Sequence, residues 1–112
     1  MTTSTVELDV PGATRITVTN TLLTAELADG RVISVPLLWY PRLVHATEDE
    51  RNNWELHAGS RHIHWADLDE DISVEGLLAG RRSGESQASL KRWLGARLAG
   101  RGFTLHELRR ED

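Results

Sequence analysis

Residues 61–80, RHIHWADLDEDISVEGLLAG, hold two histidines, a tryptophan and four carboxylates within their first eleven positions. Three chemistries could follow. His62 and His64 alternate on a predicted strand and so project from one face, a pair that could bind a metal. A third ligand, His57 or a carboxylate, has no assigned place, and two imidazoles hold zinc weakly; the pair reads better as an exposed or hydrogen-bonded strand face, with Ile63 and Trp65 turned to the core. Asp67, Asp69 and Asp71 match the opening of a calcium loop, whose oxygens at alternate positions wrap one ion. The match fails at position six, where Gly is required and Ile72 stands, and at position twelve, where Glu is required and Leu78 stands. Paired carboxylates could also do acid and base work, but only in a cleft that separates their pKa values. The segment is better explained as a strand turning into a helix, with Asp71 or Ser73 as the cap and Asp69, Glu70 and Asp71 facing the positive helix end.

No phosphate loop and no Ser, His, Asp nucleophile motif occurs in the chain. The expectation is therefore a protein that is not an enzyme, with no catalytic residues, no cofactor and no metal. Cysteine is absent, which removes disulfides and thiolate chemistry. The start, MTTSTVELDVPGA, has neither a basic opening nor an apolar stretch, and no apolar run approaches the roughly 20 residues that cross a bilayer. A soluble cytoplasmic protein without membrane contact is expected.

The elements that would position these residues follow from patterning. At 112 residues, 39% apolar and 27% charged, the chain reads as one globular domain spanning 1–112. Ile16 and Val18 alternate with polar neighbours, and Asp29-Gly30 between two apolar runs is a hairpin signal in which both residues accept positive φ. Strands near 14–19, 22–28 and 31–35 make an antiparallel meander that Pro36 ends. Pro41 opens a short helix to about 46. Thr47 and Glu50 form a capping box for a second, about 48–54. WELHAGSRHIHW gives two short strands around Gly59, and ISVEGLLAG a helix closed by Gly80. The fold class is α+β, an antiparallel β-meander with short helices and a C-terminal amphipathic helix.

That last helix, about 85–99, carries Leu90, Trp93, Leu94 and Leu98 on one face, which must dock on the body or on a second copy. Arg97 lies in the same arc and needs a carboxylate or a route to solvent. Up to Gly80 the chain has 5 basic and 13 acidic residues, and from Arg81 onward 8 basic and 4 acidic. A family-like body over 14–80 and a basic segment over 81–112 thus differ in sign. The simplest arrangement folds the tail back on its own body; a homodimer through the helix is the competing one.

Trp39, Tyr40 and Arg42 in LLWYPRL are residue types enriched in protein-binding hot spots. One of Trp39 and Tyr40 is expected in the core and the other exposed, adjoining an acidic patch of Asp67, Asp69 and Glu70 with Asp71 that would steer a basic partner.

DGRVISVPLLWYPRL (29–43), ATEDER (46–51) and IHWADLDEDISVEGLLAG (63–80), in that order and spacing, resemble the bacterial domain-of-unknown-function family 2442, over roughly residues 14–80. The resemblance implies a small α+β domain with no established enzymatic activity, followed in longer members by a helix-turn-helix. Some members are similar to antitoxin-like partners of a small toxin-like protein. About 30 residues follow Gly80 here, enough for one helix and a tail, so autonomous DNA reading by a helix-turn-helix is not expected. The leading expectation is a non-enzymatic interaction module that binds another protein, an antitoxin-like partner or regulator. The alternatives are a nucleic-acid-associated regulator using the basic C-terminal segment and a metal-dependent hydrolase using His62 and His64.

Overall fold

A computed structural model describes residues 10–100; the tail beyond 100, part of the basic segment marked out above, lies outside the described residues. The fold is α+β, with two antiparallel three-stranded sheets, short helices and a C-terminal helix.

The first sheet is the expected meander, β1 (Ala13–Val18), β2 (Leu22–Leu27) and β3 (Val32–Pro36), with β2 central. β2 alternates strictly, burying Leu23, Ala25 and Leu27, because one face of an antiparallel sheet packs on the core while the other meets water. β1 breaks the period. Ala13 and Ile16 are both buried because a register shift between Ala13 and Arg15 inserts an extra residue.

The β2 to β3 turn corrects the sequence reading. Only Gly30, at φ 94°, has positive φ, and Asp29 does not. Leu27 N–H donates to the Arg31 carbonyl and Gly30 N–H to the Leu27 carbonyl. This is a three-residue loop, 28–30, with glycine in the left-handed position, so β2 ends one residue earlier than a two-residue turn at 29–30 requires. Asp29 stays in an ordinary conformation and accepts from the Arg31 backbone N–H at 3.1 Å and side-chain Nε at 2.8 Å.

After a 3-10 turn at Leu37–Trp39, Pro41 opens α1 (Pro41–Val44), and α2 (Glu48–Asn52) follows with both halves of the Thr47/Glu50 capping box formed. Both helices are shorter than their sequence pattern suggested. The second sheet has the order β4 (Glu55–His57), β5 (His62–Trp65) and β6 (Glu70–Ser73). Its third strand is a further correction, since Glu70 and Asp71 are extended and paired with Trp65 and His64 rather than opening a helix. Asp69, left-handed at φ 51°, turns the chain into β6. Ser73 alone caps α3 (Val74–Leu78), accepting from Gly76 N–H at 2.8 Å.

The sheets share one apolar cluster that takes Ile16, Leu23 and Val35 from the first, Ile63, Trp65 and Ile72 from the second, and Leu43, Val74 and Leu77 from helices. Trp65 is fully buried, and its indole N–H donates to the Arg51 carbonyl at 3.0 Å. α4 (Gln87–Gly100) lies against this body with no fully buried residue. No helix among the described residues is long and apolar enough to cross a membrane.

Candidate protein-binding surface

Arg42 was expected at a binding surface, but the fold uses it internally. α1 aims its guanidinium at Glu85, with Nη2 2.6 Å from Oε2 and Nε 2.9 and 3.0 Å from the two oxygens. Nη1 donates to the Leu68 and Asp69 carbonyls at 2.9 and 3.2 Å. Its side chain is only 16% exposed. A planar fork with this many satisfied donors is a buried cross-link rather than an open hot spot.

On α4, Leu90, Trp93, Leu94, Arg97 and Leu98 are all half-buried, and of the four apolar ones Trp93 packs against the core cluster. It does so between two guanidiniums, Arg42 at 4.9 Å and Arg97 at 4.7 Å from the ring centroid. Arg97 in turn donates to both Glu50 oxygens, at 2.8 and 3.0 Å. Those bonds, helped by the Thr47 backbone N–H, hold the Glu50 carboxyl down at about 2. Glu85 is lowered likewise by Arg42. The helix therefore docks on its own chain through an alternating stack, Glu85, Arg42, Trp93, Arg97, Glu50.

The acidic run does not form one patch. Asp67 accepts from Asn53 Nδ2 at 2.9 Å, and the Asp69 side chain is 91% exposed. Asp71 approaches His64, with Oδ2 3.8 Å from Nδ1. Glu70 instead turns into a cleft of about 220 Å³ beside Tyr40, Ser73, Gly76 and Arg81. Burial, reinforced by the charges of Glu85, Asp71 and Asp69 and opposed by Arg42, pushes its carboxyl up to about 7. Tyr40 is buried at 4% exposure and donates its hydroxyl to the Arg81 carbonyl at 2.9 Å. Trp39 is half-buried, with the Arg82 guanidinium 4.7 Å over its ring.

His62 and His64 do share the outer face of the second sheet, where His57 pairs with His62 across the ladder. The His57 and His64 rings are 5.4 Å apart, and His57 Nε2 is 3.0 Å from a Glu55 oxygen. Among the described residues no group of three or more His, Asp or Glu side chains is placed to hold a metal ion.

What the sequence reading missed is apolar. Leu38 is 80% exposed, Val32 62%, Leu22 43% and Leu78 38%. Leu22 pairs with Pro36 across β2 and β3, both exposed, and Leu38 stands beside Trp39 in sequence in the 3-10 turn that follows β3. A signal existed in the run VISVPLLWY. It holds more apolar side chains in succession than a strand with one buried face can turn inward.

A family model described as "Protein of unknown function (DUF2442)" matches residues 13–83. Two solved structures are similar. A crystal structure of a protein of unknown function from Rhodospirillum rubrum superimposes with a TM-score of 0.57 at 25% identity, covering 70% of this chain and 94% of that one. The solution structure of an uncharacterized protein from Chromobacterium violaceum gives a TM-score of 0.59 at 19% identity, over 80% of this chain and 83% of that one, a likeness of fold. No curated protein matches the chain.

Proposed function

We propose, given that the chain belongs to the DUF2442 family of proteins of unknown function, that it is a non-enzymatic protein-interaction module of the bacterial cytoplasm, an antitoxin-like partner or regulator. The observation that carries this reading is the exposure of Leu38, two residues after Pro36, whose cross-strand partner Leu22 is exposed as well. A leucine 80% open to water, beside a half-buried tryptophan, costs solvation in the free protein that a partner would relieve. Arg82 over Trp39 supplies a polar rim, the arrangement of an apolar centre bordered by charge that protein interfaces use.

Leu38 and its neighbour Trp39 replace Arg42 and Tyr40 as the contact region, since the latter two are spent on internal hydrogen bonds. Asp67 and Asp69 remain exposed and would act on the association rate of a basic partner rather than on the apolar contact itself.

The test is co-purification from the native host at native expression, with mass spectrometry, comparing the parent chain with Leu38→Asp. A stoichiometric partner that is retained by the parent and lost by a folded Leu38→Asp variant supports the reading. Recovery of no stoichiometric partner, or of one indifferent to Leu38→Asp, rejects it.

A further inference from the structure

β3 is the outer strand of its sheet, and its hydrogen-bonding parity is fixed from both ends. The Arg31 carbonyl accepts from Leu27, and Leu37 N–H donates to the Thr21 carbonyl. Residues 31, 33, 35 and 37 therefore direct their backbone groups at β2. Successive residues of a strand point these groups to opposite sides, so Val32, Ser34 and Pro36 present theirs to the open side. All three are exposed. The missing N–H of Pro36 thus falls on the open edge, where the β2 ladder does not need it.

Open edges are normally guarded by charges, proline, bulges or a covering element, and on β3 Pro36 guards only the C-terminal end. No charged side chain lies within Val32–Pro36, and its sequence, Val-Ile-Ser-Val-Pro, has the same character read from either end about Ser34. We propose that the open edge of β3 is a self-association site, pairing antiparallel with β3 of a second copy of the chain about a two-fold axis at Ser34.

Full overlap of the two strands sets Ser34 against Ser34 of the second copy, exchanging two N–H···O bonds. Val32 comes opposite Pro36, and each Val32 N–H donates to a Pro36 carbonyl. Pro36 accepts only, and its ring Cδ, standing where an N–H would be, splays the strand ends and leaves the Val32 carbonyl to water. The side chains match as well. On the outer face Val32, 62% exposed, meets Pro36 of the other copy; on the inner face the half-buried Ile33 meets Val35. A foreign strand would need only the backbone. Mirror character about Ser34 suits an isologous contact, in which residue i of one copy meets j of the other and j meets i, and only Ser34, on the axis, meets its own equivalent. The product is one six-stranded sheet. Leu38 lies beyond the paired segment, so this inference and the partner-binding reading fail separately.

Sedimentation equilibrium on the full chain, together with Ser34→Lys and Ser34→Glu, tests the inference. Like charges directly opposite destabilise a strand pair, so each variant alone should raise the dimer dissociation constant by roughly fivefold or more. The equimolar mixture should form a mixed dimer at least as tight as the parent. Ser34 is exposed and its hydroxyl bonds only that of Thr24, so both variants should keep the parent circular dichroism spectrum. Should either lose it, Val32→Lys makes the same comparison one pair further out. A parent chain that stays monomeric at its solubility limit overturns the inference. So does a dimer whose strength ignores all of these substitutions.

Discussion

Glu50 and Glu70 start from the same ordinary carboxyl value of 4.5 and are driven opposite ways by their neighbours. Glu50, at about 2 under the Arg97 guanidinium, binds protons less readily folded than unfolded. Its contribution is complete above pH 4.5 and is lost as pH falls toward 2, a term on the order of 2 kcal/mol. Glu50→Gln should therefore lower stability at neutral pH and flatten the acid limb, as read by urea midpoints between pH 2 and 7. Glu70 behaves in reverse. With its folded value at about 7, it favours the folded state most below pH 4.5, and that advantage fades as pH rises through 7. Glu70→Gln should raise the melting temperature at pH 8 by roughly 4 to 8 °C, for a gain on the order of 1 kcal/mol, and leave it unchanged at pH 4. Equal shifts at both pH values would mean that the charge of Glu70 is not what burial penalises. The sequence showed the acidic run but not which member is buried. That depends on β6 pairing with β5, a contact between residues that meet only in the fold.

At the scale of elements, the meander, the capping box and the last helix were legible because each has a local signature: alternation, a Thr/Glu pair three residues apart, and apolar residues at helical spacing. β6 was not. Its sequence, Glu-Asp-Ile-Ser, is rich in residues that favour helix starts, and pairing with β5 overrides that preference. The exposed apolar residues were hidden for another reason: an apolar run announces burial, and only the assembled fold leaves Leu22, Val32 and Leu38 open to water. On α4 Trp93 is the principal apolar anchor, clasped by Arg42 and Arg97. Trp93→Ala should cost about 1 to 3 kcal/mol, less than the 3 to 5 of a fully buried ring because Trp93 is only half-covered. Amide exchange should locate the loss, rising across Gln87–Gly100 while β2 stays protected. Uniform loss of protection would show that the helix is part of the cooperative core.

Over the whole molecule, the acidic body and the basic segment meet through two covered contacts, Arg42 with Glu85 and Arg97 with Glu50. Long-range attraction between the two regions could also hold the helix, and salt separates the two causes. The screening length falls to roughly 3 Å at molar salt, which removes attraction between distant exposed charges but leaves direct, covered pairs mostly intact. The Arg97 and Glu50 side chains are 12% and 18% exposed and meet at 2.8 Å, inside that length. Contact should dominate. Arg97→Ala also strips one guanidinium from the Trp93 ring, so it removes two interactions at once. Exchange in Gln87–Gly100 should therefore rise sharply in Arg97→Ala at low salt and only slightly in the parent chain at molar salt. If molar salt frees the helix as fully as the substitution does, the opposed charge of body and tail, rather than the stack around Trp93, is what keeps the C-terminal segment in place.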